Sequence, residues 1–456
     1  MTSAVVLAAA ALVAIGYLPA RALTRDWLSS IALAPLVTAL ILTAAGVVTV
    51  VTATAPAPWG LLFVAAANVV ALRRLRGPAP AGTSTNARNT ALRVVAGVLV
   101  AVPLIGLVRP MVDWDAHSIW MFHAKWYAAG GSAAHDVFAS FTTSSTSDYP
   151  PLVPATTGVL SSFAGSTPSF EFQQAVTALL GYCSLLWLAW MVGDIAGAGA
   201  SRRRQGLSTV AGAAVALVVC ASVPMGLSNG LVDTLCAAAS VAGAAALLLR
   251  DPRRHLLGPP LVLFAVSILT KNEGAPIAVA AIVIVLIRHR RGLPWRPFAA
   301  VLALPVLWRV VTRVLGAESY LTADGNLRRV TGHLGDVFRR VGPALSSIFD
   351  EVGVLLVLAL LVTAVGITVG SRSQRQAVIR QVIPLWVCAA AAAGSTLAVY
   401  VLGPYDIHWF LATSVDRTML STNGLLAVIA LTGSLTVLRR DDERAPDDQG
   451  LVPAAS

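Results

Sequence analysis

The sequence predicts an all-α, polytopic membrane protein, and three features of the chain support this fold class. Of the 456 residues, 56% are apolar and only 12% are charged, whereas about a quarter of the residues of a soluble domain are charged. Apolar runs of about 18 to 24 residues recur along the chain, and each is long enough to cross a bilayer as a helix. None of these runs alternates between apolar and polar positions as the strands of an outer-membrane barrel do.

About thirteen apolar segments are expected to cross the membrane. Three of them lie within residues 1–89 and precede a larger transmembrane domain at residues 90–438, and the polar tail at residues 439–456 is predicted to be disordered. The predicted spans lie near residues 3–20, 29–53, 58–73, 90–109, 171–195, 207–226, 231–249, 256–270, 274–288, 297–315, 351–369, 382–402 and 421–438.

The basic residues indicate how the spans are oriented. One set of alternate loops holds 22 arginines, whereas the opposite loops, although longer in total, hold 8 arginines and lysines. Because cytoplasmic loops retain positive charge, the amino end is predicted outside and the carboxyl end inside a cytoplasmic membrane. The net charge of +11 is spread over short clusters, which excludes the single basic face of a nucleic-acid-binding protein.

Three outer loops are expected, at residues 109–170, 316–347 and 403–420, and the first two are longer than a usual connection. The first contains an aromatic run from Trp114 to Tyr127, and the second has apolar residues at helical spacing opposite four arginines. Both patterns predict helices that lie in the membrane interface. Most carboxylates of the chain also map to outer loops or outer helix ends, so chemistry is expected on that side.

The densest polar cluster, Asp113-Trp-Asp115-Ala-His117, directly follows the fourth predicted span. A carboxylate among aromatic rings at a membrane exit is partly desolvated and suits a general base, while decoration of an interfacial loop is the simpler explanation. Asp148-Tyr149-Pro-Pro follows about 30 residues later. Its prolines fix an extended turn that could hold Asp148 and Tyr149 against the same site, or they begin a helix.

Charged groups reach the outer boundary at three further places. Asp233 stands at a predicted helix start, where it either caps the helix or serves a site. Lys271 and Glu273 interrupt two short spans, and charges at such a break are expected to face a cavity because hydrocarbon excludes them. Arg417, in the last outer loop, could give two hydrogen bonds to a phosphate or pair with the neighbouring Asp416.

These motifs, in this order, resemble the GT-C superfamily of membrane glycosyltransferases. The resemblance rests on Asp115-Ala-His-Ser-Ile-Trp120, on Tyr149-Pro-Pro-Leu152 and on Leu269-Thr-Lys271 at a helix break. It covers roughly residues 90–420 and is closest to the branch that contains protein O-mannosyltransferases and the lipid A aminoarabinose transferase. Ala116 stands where that branch has Glu, and Tyr149 stands where it has His or Lys.

The resemblance implies an inverting glycosyltransferase with a GT-C-like fold. Such an enzyme moves a sugar from a polyprenyl-phosphate donor, whose lipid lies between helices, to a cell-envelope acceptor on the outer face of the cytoplasmic membrane. Asp115 is then the expected base, with Asp113 competing for that role, and Asp113 or Asp148 orients the acceptor. The substrate- and phosphate-binding residues that it implies are His117, Lys125, Tyr149, Asp233, Lys271, Glu273 and Arg417.

Other interpretations stay open at this point. A secondary transporter also uses intramembrane charges and broken helices, and a non-catalytic GT-C-like partner in envelope assembly would keep the fold without the activity. No metal is expected because cationic side chains can serve the phosphate, although Asp113, Asp115 and His117 are close enough in sequence to hold a divalent ion. The sequence identifies neither the sugar (mannose, arabinofuranose, galactose or glucose) nor the acceptor (glycolipid, polysaccharide or protein).

Overall fold

A computed structural model describes residues 2–77, 87–108, 112–139, 146–197, 202–221, 223, 226–251, 256–290, 292–317, 319 and 324–438. These residues form helices joined by turns and contain no strand, so the predicted all-α class is confirmed for them. The tail predicted at residues 439–456 lies outside the described residues.

Eighteen α-helices, one 3-10 helix (Val102–Val108) and one π-helix (Ala116–Met121) are described. The α-helices are α1 (Thr2–Thr24), α2 (Trp27–Thr52), α3 (Pro56–Leu75), α4 (Ala87–Val100), α5 (Phe122–Ala129), α6 (Gly131–Ala139), α7 (Leu152–Phe163), α8 (Phe170–Gly197), α9 (Arg202–Ala221), α10 (Asp233–Leu248), α11 (Gly258–Thr270), α12 (Gly274–Arg288), α13 (Trp295–Val314), α14 (Asp324–Gly332), α15 (Leu334–Thr368), α16 (Arg372–Leu402), α17 (Ile407–Thr418) and α18 (Leu420–Leu438).

Eight of the described helices are long and apolar enough to cross a membrane, namely α1, α2, α3, α8, α13, α15, α16 and α18. A ninth span results if α4 and the 3-10 helix are counted together across a bend of 45°. Pro103 explains this break because proline lacks the N–H that would continue the α-helix. The other four predicted spans are shorter apolar helices, Gln205–Ala221 within α9 and the whole of α10, α11 and α12. The membrane class is therefore supported, while the expected thirteen spans are not confirmed.

One end of the helix bundle carries a network of buried ion pairs. Arg93 lies 3.1 Å from Asp194 and 3.5 Å from Asp26, and Arg250 lies 2.9 Å from Asp194. Asp26 also accepts hydrogen bonds from the first backbone N–H groups of α2 and so begins that helix. These contacts join α2, α4, α8 and the end of α10 at one level.

A second cluster of charged side chains lies at the opposite end of the bundle, which we call the site end. On α8, Gln174 donates to the Ser228 carbonyl oxygen at the site end, whereas Asp194 belongs to the network just described. The two residues are 20 positions apart on one helix, which is about 30 Å. The charged ends are therefore separated by about the thickness of a hydrocarbon core.

The helix α2, within residues 1–89, packs on a helix that adjoins the site. Thr43 of α2 donates to the Leu152 carbonyl oxygen, and Thr156 of α7 donates to the Ala39 carbonyl oxygen. Gly46 allows the two helices to approach, because a Cβ there would lie 2.8 Å from the Ala155 side chain. The helix α2 thus supports α7, which begins directly after the Asp148-Tyr149 turn.

Both long outer loops of the sequence prediction contain helices. Residues 109–170 hold the π-helix and α5 to α7, and residues 316–347 hold α14 and the first turns of α15. The helix α15 begins at Leu334 and ends at Thr368, so the part of the amphipathic segment from Leu334 onward and the span predicted at residues 351–369 form one continuous helix.

Candidate functional site

A cavity of about 1120 Å³ opens at the site end. Its walls come from four parts of the chain, the segment at residues 113–122, the turn that holds Thr146 and Tyr149, the helix ends around Asp233 and Lys271, and the segment at residues 396–418. Seven of the ten predicted site residues line this cavity, namely Asp113, Asp115, Tyr149, Asp233, Lys271, Glu273 and Arg417. Seven residues predicted from the sequence therefore share one cavity, while their functional roles stay predictions.

The backbone around Asp113 and Asp115 is held by hydrogen bonds. The Asp113 N–H donates to the Asn229 carbonyl oxygen at 3.2 Å, and the Asp113 carboxylate accepts the Asp115 N–H at 3.1 Å. Gly230, with φ +85, lets the neighbouring turn approach, because a Cβ there would lie 2.8 Å from the Ala116 side chain. The π-helix begins at Ala116, directly after Asp115, and such helices are frequent at functional sites.

Arg417 crosses the cavity to Asp115. Its guanidinium Nη1 lies 2.7 Å from Asp115 Oδ2, with the two side chains 17% and 28% exposed. Burial alone would lower the pKa of Arg417, but the carboxylates of Asp233 and Asp115 raise it above its ordinary value. The alternative of a pair with Asp416 is not formed, because Asp416 Oδ1 accepts the backbone N–H of Arg417 instead.

Lys271 joins two carboxylates on the cavity floor. Its Nζ lies 2.8 Å from Asp233 Oδ1 and 3.2 Å from Glu273 Oε1, and only 13% of the side chain is exposed. Burial opposes the charge of Lys271, but the two carboxylates outweigh this effect and raise its pKa well above the ordinary value. The cavity thus holds an ammonium and a guanidinium, each already engaged by carboxylates.

Tyr149 reaches the cavity from the turn before α7. Its ring stacks on Trp120, with the two centroids 5.5 Å apart, and both rings line the cavity. The turn is anchored from behind, since Trp308 of α13 donates its indole N–H to the Asp148 carbonyl oxygen at 2.8 Å. The backbone of the Asp148-Tyr149 pair therefore positions Tyr149.

The Asp148 side chain does not reach the cavity, unlike its neighbour. It is buried at 6% exposure and lies 4.0 Å from the half-exposed guanidinium of Arg309. Burial raises the pKa of Asp148, and a hydrogen bond with Ser319 and the charge of Arg309 offset only part of that effect. Because the folded pKa exceeds the unfolded value of about 3.9, the free energy of unfolding falls as the pH rises between these two values.

His117 and Lys125 also lie outside the cavity wall. His117 is exposed and stacks on Phe170 with the ring centroids 4.7 Å apart, and Lys125 is exposed on α5. Asp113 and Asp115 therefore line the cavity without His117, the third residue of the alternative in which a divalent ion is bound. Among the described residues there is no group of three or more His, Cys, Asp or Glu side chains placed to hold a metal ion.

Several cavity residues were not among the predicted site residues. The Tyr400 hydroxyl lies 3.0 Å from Ser414 Oγ and 2.7 Å from Thr418 Oγ1, and Trp409 and Tyr405 line the outer part of the wall. Ser414 and Thr418 are four residues apart on α17, a spacing that places both on one face of a helix. That spacing, beside a tyrosine near the end of an apolar span, is the signal that could have found them.

Comparison of the chain with protein-family models, with curated proteins and with solved structures gives no match. The cavity and the residues that line it are therefore the basis for a functional proposal.

Proposed function

We propose that the protein is an inverting glycosyltransferase with a GT-C-like transmembrane domain that uses a polyprenyl-phosphate sugar as donor. The observation that carries the proposal is the Asp115–Arg417 pair, which places a candidate base and a candidate phosphate-binding cation 2.7 Å apart on the wall of one cavity. Lys271 adds a second cation in the same cavity. The resemblance of the motifs around Asp115, Tyr149 and Lys271 to the GT-C superfamily supports the same reaction.

The reaction requires a base and a stabilised leaving group. The acceptor hydroxyl oxygen attacks the anomeric carbon, the bond from that carbon to the phosphate oxygen breaks, and the sugar leaves with inverted configuration. Asp115 takes the hydroxyl proton. The bond electrons leave with the polyprenyl phosphate, whose negative charge Arg417 and Lys271 stabilise.

The salt bridge links donor binding to the availability of the base. The Arg417 guanidinium contacts the Asp115 carboxylate. A donor phosphate can accept two parallel hydrogen bonds from the same guanidinium. When the donor phosphate binds the Arg417 guanidinium, the Asp115 carboxylate loses this partner and can accept the proton of the acceptor hydroxyl. A donor therefore prepares the base that the second substrate needs.

A path for the lipid chain adjoins the cavity. An apolar groove of about 350 Å³ lies between the 3-10 helix and the end of α9. Val223 lines both this groove and the cavity, and Val102 and Ile105 on the outside of the 3-10 helix are exposed. A polyprenyl chain in this groove would have its phosphate beside the cavity and its tail in the bilayer.

The distribution of charge supports an outward-facing site in a cytoplasmic membrane. Of the arginine-rich loops, Arg25, which donates to the Leu75 carbonyl oxygen, and Arg250 lie at the end of the bundle that holds the Arg93 network, about 30 Å from the site end. Because cytoplasmic loops retain positive charge, the site end is the outer end. A donor made inside the cell would have to be flipped before it reaches this cavity.

The decisive experiment is sugar transfer from a panel of radiolabelled polyprenyl-phosphate sugars to envelope acceptors, with purified protein in nanodiscs. We expect one donor to be consumed by the wild type and Asp115→Asn to be inactive while it keeps its melting temperature. Asp336→Asn is the matched control, because Asp336 is an exposed carboxylate outside the cavity, and this variant should transfer normally.

Arg417→Met tests the second role. Removing one preorganised donor to a developing negative charge lowers kcat roughly 10²- to 10³-fold, and we expect a loss of that size. If folded wild-type protein consumes no donor in the presence of envelope extract, the transferase proposal is wrong. Uptake into liposomes would then test the transporter, and a pull-down of envelope enzymes would test the non-catalytic partner.

A further inference from the structure

Two tryptophans of the cavity leave much of their rings uncovered. Trp114 is 75% exposed and Trp409 is 58% exposed, and both line the cavity at the site end. Tyr405 lies beside Trp409, with ring centroids 5.6 Å apart and planes at 54°. Large aromatic faces left open inside a polar cavity indicate a ligand with a flat apolar surface of its own.

The two tryptophans belong to the two segments that the Asp115–Arg417 pair joins across the cavity. Trp114 directly precedes Asp115, whose carboxylate contacts Arg417 of α17 across the cavity. On α17, Trp409, Thr413 and Arg417 are spaced by four residues and so share one face of the helix. Eight residues of helix separate Trp409 from Arg417 by about 12 Å, so Trp409 lies about that far along α17 from the proposed reacting centre.

The charge of the cavity restricts which ligands can bind beside Trp114 and Trp409. Five carboxylates and two cations line it, a formal balance of −3. Both cations already contact carboxylates, whereas the described contacts of Asp113 and Asp416 are with backbone N–H groups. The carboxylates of Asp113 and Asp416, which no cation contacts in the described residues, can accept hydrogen bonds from hydroxyl groups and repel an anion placed beside them.

From these observations we infer that the space between Trp114 and Trp409 binds the neutral glycan chain of the acceptor. The C–H faces of sugar rings pack on the two indole rings, and sugar hydroxyls donate to Asp113 and Asp416. The role of this glycan as the acceptor of sugar transfer rests on the proposed function, whereas the binding of a neutral glycan does not. A membrane-interface belt also uses tryptophan, but its rings face lipid and not a cavity lined by carboxylates.

The test is glycan binding to the full-length protein in nanodiscs, read by saturation-transfer NMR and by tryptophan fluorescence. The probes are trisaccharides of mannose, arabinofuranose, galactose and glucose, with trigalacturonic acid as the anionic comparison and a Ser/Thr-rich peptide as the protein-like comparison. We expect at least one neutral trisaccharide to bind, and Trp409→Ala and Trp114→Ala each to weaken it about tenfold, as expected for loss of one stacking contact. Trp295→Ala is the matched control, because Trp295 is 65% exposed at the start of α13 and lies outside the cavity.

Four results would overturn the inference. They are binding of no neutral trisaccharide, binding that the Trp114 and Trp409 variants do not change, tighter binding of the peptide or of trigalacturonic acid, and quenching of both tryptophans by doxyl-labelled lipids. The last result would place the rings in the membrane interface.

The same variants separate this inference from the proposed function. Asp115→Asn should bind the trisaccharide and fail to transfer sugar. If neither the wild type nor any variant transfers sugar but the trisaccharide binds, the transferase proposal is wrong and the inference of a glycan-binding site is kept. If the wild type transfers sugar to a protein acceptor and binds no glycan, the transferase stands and the glycan site is wrong.

Discussion

Replacement of Lys271 by Met tests whether the cavity floor is a buried charge cluster. The change shortens the side chain by one atom and removes the charge that contacts both Asp233, at 2.8 Å, and Glu273, at 3.2 Å. Asp233 is 7% exposed and Glu273 is 27% exposed, so Glu273 can turn toward water while Asp233 cannot. Breaking a buried pair from one side costs about 3–5 kcal/mol, and we expect a loss near the lower limit.

The free energy of unfolding, measured by denaturing-detergent titration in bicelles, checks this prediction. The double variant Lys271→Met with Asp233→Asn should regain about half of the loss or more, since it removes the unpaired charge. Arg339→Met is the control, because the Arg339–Asp336 pair is 3.4 Å apart and exposed, and such pairs contribute little. A Lys271→Met variant as stable as Arg339→Met would refute the idea that Lys271 holds buried carboxylates.

Three further outcomes are expected. Asp148→Asn should keep sugar transfer and should gain thermal stability relative to the wild type as the pH rises above about 4, because the wild type must then ionise a carboxyl whose pKa burial raises. Melting temperatures across pH, with the transfer assay, check this, and loss of transfer would place Asp148 in the site after all. Gly212→Ala puts a Cβ 2.3 Å from the Ala189 carbonyl oxygen where α8 and α9 cross and should destabilise by about 1–3 kcal/mol. Gly206→Ala on the same helix meets nothing within 4 Å and should be neutral or stabilising, so equal stabilities would contradict the packing. Tyr400→Phe loses the hydroxyl shared with Ser414 and Thr418 and should lower the unfolding free energy by about 1 kcal/mol, whereas an unchanged value would show that this cluster does not stabilise α17.

The helices could be predicted from the sequence, but their ends could not. The predicted segment at residues 207–226 runs past the end of α9 at Ala221, and the next predicted segment begins before α10. The turn between them contains Leu227, Leu231 and Val232, which are 2%, 2% and 0% exposed. Because a turn buried in protein is as apolar as the helices beside it, hydropathy continues through the turn and overstates the length of the span.

The site could be predicted as a set of residues but not as a set of contacts. Asp115 and Arg417 are 302 positions apart, and only the expected topology placed them on one side. The nearest carboxylate in sequence, Asp416, contacts the Arg417 backbone, so proximity along the chain did not decide the ion pair. Asp148 faces away because Trp308 and Arg309 of α13 contact it from behind, and no sequence pattern connects that helix to the first outer loop.

Three of the four short helices that disagree with the span count, α10, α11 and α12, build the cavity floor. A helix of 13 residues such as α11 is about 20 Å long, roughly 10 Å less than a hydrocarbon core. Lys271 follows the carboxyl end of α11, and Asp233 and Glu273 stand at the amino ends of α10 and α12. Each charge is opposite in sign to the helix terminus beside it, a favourable arrangement, and each contacts a partner. A charge cluster stabilised in this way can lie below the membrane surface, and this explains how an apolar chain forms a polar cavity where two short helices meet.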